Sequence, residues 1–320
     1  MSELKGKVET SIERIKNFDP LSFSGKNSYY LAFSGGKDSV VCKTLLEMAG
    51  VKYDAHYRVT SVDPPELVRF IKEKHPDVNR DVPRYTEYGE GAYLGDDLIG
   101  KPITMWNLIP RKMMPPTRIA RYCCEYLKES GGDGRLTVTG VRWAESINRR
   151  KKQGVATIRG NKKLAKELED NPYFRINGNN GAVLVNDNSE SREIIDACTT
   201  RFKTCLNPII DWTDQNVWDF IKAEHVPYCE LYDEGFHRLG CIGCPMAQKK
   251  GREIEFLRWP KYKQAYLHAF EKMLEYRQQR GKMQGTWRKG TTAKDVFNWW
   301  MEYDVLPGQI SFEEFEEVTI

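Results

Sequence analysis

No run of about eighteen consecutive apolar residues, the length a helix needs to cross a bilayer, occurs anywhere in the 320-residue sequence. The first seven residues place no apolar stretch behind their charges, so they do not read as a secretory leader. Neither membrane insertion nor secretion is expected. A charge excess of one sign is also missing: 49 Lys and Arg face 45 Asp and Glu, a net charge of +4, too small for the chain as a whole to attract a polyanion. Any anionic partner must be recognised by a local patch. With 40% hydrophobic and 29% charged residues and a mean hydropathy of −0.62, disordered, collagen-like and mucin-like classes are excluded. No internal repeat is visible. The length suits one main α/β domain with additions. Cysteine, by contrast, is plentiful: eight residues, which in a reducing cytoplasm point to metal or redox chemistry rather than to disulfides.

Leu4, Val8, Ile12 and Ile15 recur at helical spacing and predict an amphipathic helix over 3–17. The apolar run 28–33 predicts a strand that stops at Ser34-Gly35-Gly36, and Val40, Val41, Leu45, Leu46 and Met48 predict a helix directly after it. A second strand is expected over 52–59, then a helix opened by Pro64-Pro65-Glu66 with Leu67, Val68, Phe70 and Ile71 on its inner face. Such alternation implies a parallel, twisted sheet. Further along, 117–128 reads as a helix, 136–140 as a strand ending in glycine, 207–212 as a short apolar edge element, and Thr213 as the cap of a helix through 222. Residues 151–200, rich in Asn, Gly and charge, read as an inserted, partly mobile excursion whose one strand-like stretch is 182–185. Helices are expected over 253–279 and 295–300. The organisation expected is an α/β domain over 1–150 and 201–245, an insertion over 151–200, and a helical extension over 246–320.

Ser34-Gly35-Gly36-Lys37-Asp38-Ser39 lies between the end of a buried strand and the start of a helix, where unpaired N–H groups and the helix dipole favour an anion. The glycines allow close approach of phosphate oxygens, Lys37 adds a point charge, and the Ser34 and Ser39 hydroxyls add donors. Asp38 can help hold Mg²⁺ bridged to phosphates. The loop is not a Walker A motif, because Asp follows Lys and the spacing to the first glycine is wrong. Arg142, just beyond Gly140 at the carboxyl end of a predicted strand, is placed to pair with phosphate or sulfate through two parallel hydrogen bonds; the plainer alternative is a surface ion pair with Glu145. Asp63 is similarly placed after a strand, or is an ordinary turn former before Pro-Pro.

Cys241-Ile242-Gly243-Cys244 can present two thiolates to one metal from a tight turn, and Cys123-Cys124, Cys205 and Cys229 are further candidates. Spacing does not separate a four-thiolate zinc site from an iron–sulfur cluster, and a metal-free dithiol is the third option. Cys42 reads as a core thiol and Cys198 as a loop thiol.

The SGGKDS segment resembles the signature of the PP-loop ATP pyrophosphatases, and the surrounding chain resembles the branch related to phosphoadenylylsulfate (PAPS) reductases. Residues 60–66, the Gly140-Val141-Arg142-Trp143-Ala144-Glu145-Ser146 stretch and residues 207–218, with Asn216 where Asp is usual, carry the likeness over about two thirds of the chain. The resemblance implies an adenine nucleotide α-hydrolase-like (HUP-type) sheet with helices on both faces. It implies ATP with Mg²⁺, a nucleotide held by Ser34, Gly35, Gly36, Lys37, Asp38, Ser39, Asp63, Gly140 and Arg142, and catalysis by Lys37, Asp38 and Arg142. Cleavage at the α-phosphate would give AMP and pyrophosphate, ahead of sulfur transfer to a nucleic acid. Cluster-bearing sulfonucleotide reductases of this family join a Cys-Cys pair to a Cys-x-x-Cys at one [4Fe–4S] cluster, whereas the DNA phosphorothioation enzymes draw cysteines from the loop before the last Gly-Cys-x-x-Cys. On these precedents the expected ligands are Cys124, Cys229, Cys241 and Cys244, with Cys123 and Cys205 in reserve. A [4Fe–4S] cluster is expected, with Zn²⁺ as the alternative. PAPS reductases attack their substrate with a cysteine near the carboxyl terminus, and none follows Cys244 here, so reductase chemistry would need an internal cysteine. Sulfonucleotide (PAPS or APS) reduction is therefore the alternative activity, and a non-catalytic nucleotide-binding accessory protein of a defence or CRISPR-type system the third.

From Arg142 to Lys163 there are eight Lys or Arg against one Asp or Glu. That stretch is a candidate surface for tRNA or DNA, the alternative being a solvated face. Trp259, Tyr262, Tyr266, Phe270, Trp287, Trp299 and Trp300 read as helix core rather than base-stacking platforms. A sulfur donor or accessory protein is the other partner expected, in a cytoplasmic setting.

Overall fold

Burial of β1 (Tyr29–Ala32) on both faces and alternating burial along β2 (Tyr53–Arg58) set the architecture. Leu31 pairs with Ala55 in parallel register, and Leu31 also lies opposite Val138 of β4 (Thr137–Val138), which lies opposite Leu206 of β8 (Lys203–Leu206). All four side chains are buried, so one sheet face is an aliphatic stripe that a one-residue register slip would turn to the other side. The structure is a computed structural model describing residues 2–23, 25, 27–85, 99–177, 181–184 and 189–302. It divides into two units: Met1–Arg58, Pro65–Asp81 and Gly131–Leu239 form one, and Val59–Pro64, Val82–Ser130 and Gly240–Ile320 the other.

The first unit holds the whole eight-stranded sheet, in the order β3-β2-β1-β4-β8-β5-β7-β6, with β3 at Asn79–Asp81, β5 at Ala156–Arg159, β6 at Phe174–Ile176 and β7 at Ala182–Leu184. The expected parallel α/β sheet is present in β3, β2, β1, β4 and β8, and the insertion extends it with three antiparallel strands. Residues 151–200 are therefore largely built rather than an irregular excursion: they also carry α8 (Lys162–Glu167) and α9 (Ser189–Thr199), and Val185 lies outside the described residues. The reason is edge pairing, since β8 offers a free side that β5 fills with four residue pairs. The expected edge element at 207–212 is instead a turn, and the strand before it, β8, is interior. α1 (Ser2–Asn17) and α10 (Asp214–Ala223) pack with α3 (Lys37–Ala49); the Tyr29 hydroxyl donates to the Ile15 carbonyl at 2.8 Å. α2 is Pro20–Phe23 and α4 is Pro65–Lys74, which buries Leu67, Phe70 and Ile71 but leaves Val68 exposed.

β1 and β4 are neighbours whose onward connections leave in opposite directions along the sheet. This is the topological switch point where open α/β sheets bind ligands beyond their carboxyl edge. The 34–39 loop leaves β1 there and Gly140-Val141-Arg142 leaves β4.

The second unit is helical among its described residues: α5 (Met105–Lys112), α6 (Tyr122–Leu127), α11 (Lys249–Arg258), α12 (Pro260–Gln279) and α13 (Ala293–Glu302). Trp259-Pro260 breaks the helical run expected over 253–279 in two. Residues 117–121 do not join α6: the Thr117 hydroxyl accepts the Ala120 N–H at 3.0 Å and the Thr117 N–H donates to the Ala120 carbonyl at 3.2 Å, closing a turn instead. Tyr266, Phe270, Trp300, Trp287 and Trp259 are buried, Tyr266 and Trp300 at 4.6 Å between ring centroids; these aromatics are core. Buried Arg252 lies 4.1 Å from the Trp300 ring and donates to its carbonyl at 2.9 Å. No helix among the described residues is long and apolar enough to cross a membrane.

Candidate functional site

The 34–39 loop is shaped by packing beneath it. Gly35 has φ +73°, and a Cβ there would meet Ile71 and Leu67 of α4 at 2.8 Å, so the chain turns where no side chain fits. The Ser39 hydroxyl donates to the Gly36 carbonyl at 2.8 Å and accepts from the Ser34 N–H at 3.2 Å. Gly36 caps α3 with no side-chain hydrogen bond, leaving the helix's first N–H groups to a ligand or to neighbours. One neighbour has taken one of them: the Lys37 N–H donates to the Tyr232 hydroxyl at 2.9 Å.

Behind the loop sits a charge network. Arg142 is only 2% exposed. Its Nε donates to Asp38 Oδ1 at 2.7 Å, its Nη2 to Asp214 Oδ1 at 2.5 Å and its Nη1 to the Trp212 carbonyl at 3.3 Å. Lys37 Nζ lies 3.6 Å from Asp38 Oδ2 and 3.4 Å from Asp214 Oδ1. The guanidinium grips two carboxylates, and Glu145, the surface partner weighed for it, takes the Arg142 backbone N–H and pairs with Arg149 instead. Burial pushes the Asp38 carboxyl above its ordinary range despite both cations. Burial also raises Asp214, but the Arg142 and Lys37 contacts outweigh it and hold that carboxyl low.

Gly140 lets the strand end touch α3, since a Cβ there would lie 2.9 Å from the Asp38 carbonyl carbon. Asn207 locks this edge: it bonds the Thr139 hydroxyl, and its Nδ2 donates to the Gly154 carbonyl at 2.8 Å. The Trp143 N–H donates to the Ile210 carbonyl at 2.8 Å, and Asp211 receives Arg14 of α1 at 2.8 Å. The Asn-Pro-Ile-Ile-Asp-Trp segment is therefore the mount that aims Arg142. Thr213 and Asn216 form a reciprocal cap on α10, which places Asp214 in the first turn, beside Lys37 and Arg142.

These residues coincide with a family assignment: residues 28–247 match the phosphoadenosine phosphosulfate reductase domain. The chain belongs to that family. A stretch of 53 residues is 45% identical to adenosine 5′-phosphosulfate reductase of Neisseria meningitidis, covering 17% of this chain and 22% of that protein. The corresponding enzyme of Geobacillus kaustophilus is 24% identical over 234 residues, 71% of this chain and 77% of that protein. The first curated relatives are matched over less than half of their own length. Among solved structures, a phosphate complex of PAPS reductase from Candida auris aligns with TM-score 0.36 and 13% identity, covering 72% of this chain and 93% of that one.

The eight cysteines of the chain fall in both units. In the second, Cys123 and Cys124 on α6 share an electrostatic neighbourhood with Cys241 and Cys244. Gly243 turns the Cys-x-x-Cys loop at φ +71°, with the Phe256 ring 2.6 Å from where a Cβ would stand, and the Ile242 N–H and carbonyl are pinned by the Val62 carbonyl and the Tyr266 hydroxyl. The Arg121 guanidinium donates to Cys124 Sγ at 3.3 Å. A hydrogen bond from Cys123, with Arg121 and Lys128, holds the Cys124 thiol below its ordinary range. Burial pushes Cys241 up to about 12 against the pull of Lys128. Lys128 also lies 4.0 Å from Asp63, so Asp63 sits with the thiols of its own unit. Cys229 belongs to the first unit, where burial raises it among Glu230, Glu66 and Glu234, and Cys205 lies on β8 opposite Thr137. Cys42 is core as expected, but Cys198 is buried on α9, not in a loop. No group of three or more His, Cys, Asp or Glu side chains is closed around a metal position among the described residues. Sequence reasoning missed Asp214, Tyr232, Arg121 and Lys128. Only Lys128 had a local signal, four residues after Cys124 on a helix.

Proposed function

We propose that this chain binds an adenine nucleotide by its phosphates at residues 34–39 and reacts at the α-phosphate, transferring AMP to an acceptor while pyrophosphate leaves. The observation that carries this reading is the uncapped α3 N-terminus at the sheet's switch point, with Lys37 and Ser39 beside it. An acceptor oxygen attacks the α phosphorus, the bond to the bridging oxygen breaks, and the electron pair departs with pyrophosphate. The N–H groups and Lys37 hold the phosphates and offset charge developing on them, while Gly140 and Arg142 act as the frame. Asp38 Oδ1 is taken by Arg142 and Oδ2 faces Lys37 at 3.6 Å, so this reading gives Asp38 the role of anchoring those cations and brings magnesium in with a Mg-ATP substrate.

Cys123, Cys124, Cys241 and Cys244 are the thiols that would hold a [4Fe–4S] cluster or Zn²⁺, with Lys128 and Arg121 offsetting thiolate charge. With four thiolates such a centre would be net negative, which the two cations would offset, and it would staple α6 to the Cys-x-x-Cys loop. The acceptor is proposed to be a nucleic acid seated on α7 (Ile147–Lys152), which exposes Arg150, Lys151 and Lys152 just beyond Arg142. Eight free thiols support a reducing, cytoplasmic setting. A second reading, sulfonucleotide reduction, is favoured by the reductase relative matched over 71% of the chain. Chromatography of anaerobically purified protein with Mg-ATP and tRNA or DNA is expected to give AMP and pyrophosphate. ADP alone would refute the first reading, and sulfite released from APS or PAPS with thioredoxin would establish the second.

A further inference from the structure

Tyr232 stands over the phosphate loop, in the same unit, and neither the family resemblance nor the loop motif assigns it a role. Its hydroxyl accepts the Lys37 N–H at 2.9 Å and lies 3.4 Å from where a Cβ on Gly36 would be. The ring is held by Trp218 of α10, edge to face at 5.1 Å, and Trp218 is packed in the same way by Tyr228 at 5.4 Å. A phenol that accepts one hydrogen bond still has its own proton to give. Among the described residues that proton meets no hydrogen-bond acceptor. Burial beside Asp38 and Asp214 pushes the phenol's pKa up, so the hydroxyl stays protonated at neutral pH.

We propose that Tyr232 is a phosphate-binding residue: its hydroxyl relays the first free N–H of α3 to the nucleotide, accepting from Lys37 and donating to a phosphate oxygen. This rests on the loop being the nucleotide site. The two bonds reinforce each other, because a hydroxyl polarised by a helix N-terminus is a better donor. The opposite role is a plug that occupies the phosphate's place, and the two roles move affinity in opposite directions when the oxygen is removed.

Titration calorimetry of the full chain with ATP and with adenosine tests this on wild type, Tyr232→Phe and Lys37→Ala. Tyr232→Phe keeps the ring against Trp218 and removes one oxygen. It is expected to weaken ATP binding about tenfold to a hundredfold, the worth of a hydrogen bond to a charged group, with adenosine affinity unchanged and only the small drop in melting temperature that loss of the bond to the Lys37 N–H brings. Equal or tighter ATP binding by Tyr232→Phe overturns the proposal, as does an equal loss for adenosine. If wild type and Lys37→Ala bind ATP alike, or neither binds it, the loop itself is not the site and both readings fall together.

Discussion

Replacing Arg142 by Met tests whether the charge network, rather than the loop alone, sets the geometry of this site. The guanidinium is 2% exposed and bridges Asp38, whose side chain is 23% exposed, and Asp214, which is 65% exposed. Removing it leaves the largely buried Asp38 carboxylate with Lys37 alone, at 3.6 Å; breaking a buried pair typically costs about 3–5 kcal/mol, and the remaining cation places this case at the lower end. Asp214 is open to water, so its share is about 0–1 kcal/mol. At about 2–4 °C per kcal/mol for a domain of this size, the melting temperature should fall by about 6–24 °C at pH 7, followed by circular dichroism. Adding Asp38→Asn to Arg142→Met should restore most of the loss, since the uncompensated charge is then gone. The pH dependence follows from the direction of the Asp38 shift. Burial raises this carboxyl in the folded state, so its ionised form is the one that folding disfavours. The variant's deficit is full above the folded pKa and shrinks as the pH falls through it. A deficit below about 1 kcal/mol, or a double variant no more stable than the single one, would refute the argument.

Gly140→Ala would push a methyl to 2.9 Å from the backbone of Asp38; a stability loss of about 1–3 kcal/mol and weaker ATP binding are expected by melting and calorimetry. Asp211 is raised by burial but held low overall by Arg14, so its stabilisation is present above the ordinary carboxylate pKa of about 4 and is lost as the pH falls through the lower folded value. Melting curves from pH 6 to 3 should therefore show a shallower acid limb in Asp211→Asn than in wild type. Charge reversal of Arg150, Lys151 and Lys152 together should weaken nucleic-acid retention in filter binding and reduce the salt slope of log K by about 2–3; an unchanged slope would place the acceptor elsewhere.

The loop and its flanks were legible because they are local. A buried strand, two glycines and a helix start follow one another within twenty residues, and each is announced by its own residue types. Thr213 as a cap was readable for the same reason, and so were the aromatic spacings of the helical tail. Residues 203–206 were not, because a strand of only four residues, KTCL, carries too little pattern, and its interior place depends on β5 arriving from the insertion to pair with it. The three antiparallel strands likewise exist through their neighbours, each being three or four residues long.

From the amino-acid order alone came the α/β class, the glycine turn between strand and helix and the list of thiols, since turn chemistry, periodicity and residue type are properties of short stretches. Tertiary structure alone decided that Arg142 serves Asp38 and Asp214, that Lys128 joins the paired cysteines, and that a tyrosine nearly two hundred residues downstream meets the Lys37 N–H. Those partners lie far apart along the chain, and hydrogen bonds and ion pairs depend on distances of a few ångströms that only the packed sheet and helices set.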